Sequence, residues 1–280
     1  MKLIRNGICL LLSLTMVLSS AATACAELVK SGEATGILDE QALTERVESI
    51  IDELGLDRSR LAVGFYYSGT GDAYFYNGDS WMYSASLFKV PLYMALDDEI
   101  ADGKIRESGT EFTVAKVEYY RDRILINSVT EPAKWLMGHF GSYQKCREEY
   151  RRYSELPDDY FPDSFSVNSY FSARFMVDVM AWLLEHGDKY PKILDCLYRS
   201  PVRQDLTTVA EHYKVAQKYG DYADDFVNVH HMAAIIDTPT PIAVVVMTSG
   251  SRKHRMFMNE VSSMLADYSL ELDQQLASDK

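Results

Sequence analysis

The strand-forming segments of this chain lie toward its two ends, and the long stretch between them is patterned for helix. Ala62–Tyr67 is rich in β-formers, Ser68-Gly69-Thr70-Gly71 is a turn signal, and Ala73–Tyr76 is a second strand, which together predict a hairpin. Clear strand patterns return at Val229–Ile236 and Ile242–Thr248, with Pro239 and Pro241 between them. Residues 97–212 are mostly helical. This order predicts an α/β (α+β) fold: an antiparallel sheet built from both chain ends, flanked by helices, with a mostly helical inserted lobe.

Local signals place the helices. Leu43, Val47, Ile50, Ile51 and Leu54 recur at helical spacing, and Gly55 is a stop. The run from Ser86 through Leu96 is apolar enough to be a buried helix, with Pro91 expected to kink its first turns. Ala133–Phe140 and the charged Ser142–Tyr153 are further helices, and 157–163 is a loop. Asn168 or Ser169 is expected to cap a helix over Ala173–Glu185, which ends at His186-Gly187. Met256–Tyr268 is a closing amphipathic helix. No internal repeat is present.

Residues 1–24 have the pattern of a signal peptide. Lys2 and Arg5 precede an apolar run from Ile8 to Leu18, and small residues follow up to Cys25. Cleavage before Cys25 or before Glu27 fits the small-x-small rule. The small residues before Cys25 also resemble a bacterial lipoprotein box, although Ala22 stands where a large apolar residue is usual. Lipidation of Cys25 and simple secretion both remain open, and a lipid there is the one membrane attachment expected. Residues 25–42 are a linker, and 43–280 form one domain with an α/β lobe (43–96 and 213–280) and a helical lobe (97–212). Cys9 leaves with the signal, so Cys146 and Cys196 are the cysteines of the exported domain, free to bridge if their geometry allows.

The 280 residues carry 41 acidic and 28 basic side chains, a net charge of −13, which loss of Lys2 and Arg5 takes to −15. This balance argues against nucleic acid as a partner, because phosphate recognition needs a positive surface. No CxxC pair occurs, and adjacent His230 and His231 in a strand point to opposite faces, so neither metal nor organic cofactor is expected. A monomer is expected.

The chemistry-bearing candidate is Ser86-Leu87-Phe88-Lys89. Serine and lysine three apart on a helix share a face. A serine hydroxyl needs a base to take its proton, and a lysine made neutral by burial can serve. A second Ser-x-x-Lys, Ser142-Tyr143-Gln144-Lys145, lies in a polar run and fits a solvated helix face.

Ser86-Leu87-Phe88-Lys89 followed by Val90-Pro91-Leu92 resembles the active-site helix of class A β-lactamases and related penicillin-recognising serine hydrolases. Val215-Ala216-Gln217-Lys218-Tyr219-Gly220 is similar to the family's strand carrying Lys-Thr/Ser-Gly, and His231–Ile236 resembles the strand after it. The resemblance spans about 43–270. It implies a β-lactamase-like fold, with Ser86 as acylated nucleophile, Lys89 as base or proton relay, and Lys218 as the substrate-carboxylate ligand. It also implies an oxyanion hole from the N–H groups of Ser86 and Asp221, with Gly220 lining the substrate groove. Ser128-Val129-Thr130 is the best match to Ser-x-Asn, which implies Ser128 as the proton shuttle to the leaving group and Thr130 as a substrate contact; a shift of one residue would put Asn127 in the serine's place.

Three departures bear on activity. Thr130 cannot supply both amide donor and carbonyl acceptor as asparagine does. Tyr219 replaces Thr or Ser and cannot make the same carboxylate contact. The Glu-x-x-Leu-Asn loop that activates the deacylating water is absent, and Glu155 is the nearest loop candidate for that base. The expectation is therefore an exported serine hydrolase acting on a β-lactam or a related small-molecule, peptide-like amide or ester. A penicillin-binding or peptidase-like enzyme with slow deacylation, and a non-catalytic envelope binding protein of the same fold, are the alternatives.

Overall fold

The computed structural model describes residues 36–108, 111–202 and 205–278. The expected signal peptide, Cys9, Cys25 and most of the expected linker lie outside the described residues.

In chain order the elements are α1 (Glu40–Leu54), β1 (Leu61–Tyr67), β2 (Asp72–Tyr76), β3 (Met82–Tyr83), α2 (Lys89–Ala101), α3 (Val114–Leu125), α4 (Glu131–Met137) and α5 (Tyr143–Glu149). There follow α6 (Asp163–Asn168), β4 (Tyr170–Phe171), α7 (Ala173–Glu185), α8 (Pro191–Arg199), α9 (Thr207–Ala210), β5 (Val215–Ala223), β6 (Asn228–Ile236), β7 (Ile242–Ser249) and α10 (His254–Ser278). Helix α1 starts where the Asp39 carboxylate accepts the Ala42 N–H and stops at Gly55, which takes the left-handed φ of 62°.

The five-stranded sheet runs β2-β1-β7-β6-β5 and is antiparallel throughout. It joins the two chain ends through β1 and β7, as the strand pattern predicts. Every residue of β1 is buried, so both faces of the sheet are covered. Phe65 meets Tyr268 of α10 edge-on at 6.3 Å. Its neighbour Gly64 faces α7 so closely that a Cβ there would lie 2.4 Å from Val177 Cγ2. Thus α7 packs on one face, while α10 packs on the other. Strands β3 and β4 form a separate two-stranded ladder.

Buried ions pin the helical layer. Arg121 of α3 is 3% exposed and makes two bonds, 2.9 and 2.6 Å, to Asp97 of α2. It also reaches Glu118 and lies over the Tyr93 ring. Asp98, next along α2, accepts from the hydroxyls of Tyr153 and Tyr190 at 2.9 and 3.0 Å and pairs with Lys189. Such charges are tolerated in the interior only when matched in this way.

Two local expectations are corrected. The cap of α7 is Ser172, which accepts the Phe175 N–H at 3.1 Å. Asn168 instead ends the short helix α6, and Ser169 is left-handed (φ 60°) beyond it. Pro91 lies in the first turn of α2, because the helix begins at Lys89. A missing N–H there removes no bond from the helix interior, so no kink need follow. The open question about the cysteines is also answered: Cys146 and Cys196 are both buried free thiols. Cys146 lies 3.3 Å from the Tyr150 hydroxyl, and Cys196 lies 3.3 Å from Asp122. Burial pushes both thiols up to about 12, which leaves them unreactive.

Candidate active site

The nucleophile candidate sits where β3 hands over to α2. The Ser84 N–H is tied to the Ser169 carbonyl at 2.8 Å, and the two side-chain hydroxyls pair at 2.8 Å. Ala85 then takes φ 46°, a left-handed conformation that costs a non-glycine residue about 1 kcal/mol or more. This turn lifts Ser86 out of the strand and sets it, half-buried, at the foot of α2. His231 braces the turn from β6. Its Nε2 lies 2.9 Å from the Tyr83 carbonyl and its Nδ1 lies 3.2 Å from the Thr248 N–H. Burial pushes His231 down to about 4, so it is neutral at pH 7, with Nε2–H donating to Tyr83.

Lys89 is fully buried one turn along. Its Nζ lies 2.8 Å from Ser86 Oγ, 2.6 Å from the Ser128 carbonyl, 3.3 Å from Ser128 Oγ and 3.1 Å from Thr130 Oγ1. Burial pushes its pKa down from 10.5 to about 8, so a useful fraction is neutral near pH 7. Ser128 stands in the α3–α4 connection with φ 58°, held where the Val129 N–H bonds the Arg123 carbonyl. Its Oγ also accepts from Lys218 Nζ at 2.9 Å. Thr130 occupies the cap position of α4 without making a cap bond, because its hydroxyl is turned to Lys89.

Strand β5 closes the other side. A Cβ on Gly220 would lie 3.2 Å from the Ser84 carbonyl oxygen, 3.2 Å from the Ser86 nitrogen and 3.3 Å from Ala85 Cβ. Glycine therefore lets the strand approach the Ser86 turn, and two of the three neighbours are backbone atoms that cannot yield. Gly220→Ala is expected to slow acylation of Ser86 by about ten- to a hundredfold, as small misplacements of reacting groups do, with the rate of covalent labelling as the measurement. An unchanged rate would mean that the approach of β5 has no part in the site.

Tyr219 and Asp221 complete the strand. Lys218 is fully buried and Tyr219 is 8% exposed, with the Tyr219 ring centroid 3.9 Å from Lys218 Nζ. The Asp221 carboxylate lies 3.0 Å from Nδ1 of His230, its cross-strand partner, and the His230 ring stacks on His254 at 3.6 Å. Side chains alternate along a strand, so this carboxylate leaves β5 on the same side as Tyr219. His230 and His231 likewise face opposite ways, and among the described residues no cluster of three His, Cys, Asp or Glu could hold a metal ion.

Ser86, Lys89, Ser128, Thr130, Lys218, Tyr219 and Gly220 thus come together from three segments. Glu155 is exposed after the turn at Tyr150–Tyr153, where its N–H bonds Asp178. None of its described contacts is with that cluster. The second Ser-x-x-Lys has a structural use: Ser142 caps α5 through the Lys145 N–H, and Lys145 is exposed. His231 and the Ser84–Ser169 pair were not legible as parts of the site, since neither has a motif: His231 acts on backbone groups of other strands, and the two serines meet across 85 residues of chain.

The family model described as the β-lactamase enzyme family matches residues 42–132 and 149–269. No curated protein sequence matches the chain. Among solved structures, a β-lactamase from Chitinophaga pinensis is similar with a TM-score of 0.65 and 16% identity, covering 81% of this chain and 99% of the other. An ancestral class A β-lactamase is similar with a TM-score of 0.65 and 17% identity, covering 81% and 99%. The structure of PBP-A gives 0.62 and 18%, covering 82% and 97%. Likeness at these identities speaks for the fold.

Proposed function

The chain belongs to the β-lactamase enzyme family, and from that premise we propose that it is an exported serine hydrolase acylated at Ser86 by a β-lactam or a related amide or ester. The observation that carries this is the 2.8 Å contact between Ser86 Oγ and a fully buried Lys89 Nζ. Neutral Lys89 takes the Ser86 proton as Oγ attacks the carbonyl carbon. The negative charge that develops on the carbonyl oxygen is met by the N–H groups of Ser86 and Asp221. The bond to the leaving nitrogen or oxygen then breaks, and that atom receives a proton through Ser128 Oγ, which lies within 3.3 Å of Lys89 and 2.9 Å of Lys218. The product is an ester on Ser86, which water must hydrolyse.

Intact mass after incubation with a penicillin, and separately with a fluorophosphonate, tests the assignment. A single adduct in the wild type and none in Ser86→Ala is expected. Equal labelling of both would remove Ser86 from the role, and the absence of any labelling would favour a non-catalytic binding protein.

The exposure of Glu155 favours a second reading of the later step. Without a base held against the ester, the acyl-enzyme is long-lived, as in penicillin-binding and peptidase-like enzymes. The adduct is expected to persist through a time course of hours, with little turnover of a chromogenic cephalosporin. Rapid loss of the adduct would show efficient β-lactamase action instead.

A further inference from the structure

We propose that Tyr219 makes this site select substrates that carry no negative charge beside the leaving group. The proposal rests on the reading of Ser86 as the acylated nucleophile and concerns what that site admits. An ammonium group has three N–H donors. Lys218 gives one to Ser128 Oγ at 2.9 Å and one to the Tyr219 carbonyl at 2.8 Å. Its third direction is met by the face of the Tyr219 ring, whose centroid is 3.9 Å from Nζ, within range of a cation–π contact. Each donor therefore already has an acceptor.

The same contacts locate this region relative to the reaction. Ser128 Oγ is the oxygen that protonates the leaving atom, and it is also the oxygen that Lys218 holds. The space beside Lys218 is therefore the leaving-group side of the scissile bond. A substrate carboxylate arriving there has two routes to the ammonium. It can displace an aromatic ring that is 8% exposed, or it can take the bond that holds Ser128. The first opens a packed contact, and the second removes the proton path that the reaction needs. A carboxylate that does neither is desolvated without a donor, which is costly. A neutral amide or ester group suffers none of these penalties. In this arrangement Lys218 acts on Ser128, favouring the hydroxyl as it passes its proton on, and Tyr219 is the specificity-determining residue.

A matched pair of probes isolates the charge: a penicillin with its free carboxylate, and its methyl ester. Second-order rate constants for adduct formation at Ser86, read by intact mass, give an acid-to-ester ratio for each protein. In the wild type the ester is expected to react at least tenfold faster. Tyr219→Thr, which removes the ring and offers a small hydroxyl, is expected to shift the ratio at least tenfold toward the acid. Tyr219→Phe keeps the ring and is expected to keep the ester preference. A wild-type ratio favouring the acid tenfold overturns the proposal without any variant, as does an unchanged ratio in Tyr219→Thr. Labelling by both probes with the wrong ratio overturns this proposal alone. Failure of both probes and of a fluorophosphonate to label Ser86 overturns the acyl-enzyme reading along with it.

Discussion

Replacing Lys89 with Met is expected to slow acylation of Ser86 by about 10²- to 10⁴-fold, the range that a positioned general base contributes. The same change is expected to raise the melting temperature. In the unfolded chain a lysine holds its proton up to about 10.4. In the folded protein burial makes Lys89 release it near 8. The native state therefore binds fewer protons between those values, and stability rises with pH across that window. Below pH 8 the folded protein carries the whole penalty, roughly 3 kcal/mol for a difference of this size. Met occupies similar volume without the charge, although it forfeits the bonds to the Ser128 carbonyl and to the hydroxyls of Ser86, Ser128 and Thr130. A gain of about 2–4 °C, measured by thermal unfolding at pH 7, is expected after that loss. Wild-type acylation should increase as pH rises through about 8, because the neutral amine is the base. A rate that is flat from pH 6 to 9 would remove Lys89 from that role, and a large fall in melting temperature would mean that its hydrogen bonds outweigh its burial.

Arg121→Ala is expected to destabilise the protein by about 3–5 kcal/mol, the cost of stranding a buried partner ion. The Asp97 carboxyl is already raised by burial and is held by the two Arg121 bonds. Urea unfolding of the single variant and of the double variant Asp97→Leu/Arg121→Met measures this. The double variant is expected to recover most of the loss, since an apolar pair leaves no unmatched charge. A single-variant loss below about 1 kcal/mol would show that the pair is effectively solvated. The pair also matters for the site, because α2 carries Lys89 and α3 leads into Ser128. Folded Arg121→Ala is therefore expected to be acylated more slowly as well.

The sheet was legible because β-branched and aromatic runs at both chain ends leave little else to build. The meeting of Ser86 and Lys89 was legible because residues three apart at a helical turn come together, and the Gly220 strand because its neighbours match a known pattern. Other features depend on contacts between distant segments. Asn168 and Ser169 each look like a cap for α7, and only the path of the chain decides that Ser169 serves Ser84 while Ser172, not read as a cap, takes that place. Thr130 has a cap's position and a cap's chemistry, yet its hydroxyl goes to Lys89. Asp221 enters the sequence reading only through its backbone N–H, and nothing local announces that its carboxylate pairs with His230 on the neighbouring strand. His231 and Arg121 carry no local signal for what they brace, since their partners are a carbonyl on another strand and a carboxylate on another helix.

The partners joined by β1 and β7 lie between 175 and 187 residues apart in the sequence. Synthesis runs from the N-terminus, at about 5–20 residues per second. A growing chain thus exposes β1 with one edge unzipped until its last strand has been made, and the long loop that must close makes the final zipping slow. Through that interval Ser86 and Lys89 exist, whereas the strand bearing Lys218 arrives only near the end. A nascent or truncated molecule has Ser86 and Lys89 without the strand that walls them in, so on the proposed reading covalent labelling at Ser86 is expected only once β5 has been made and docked.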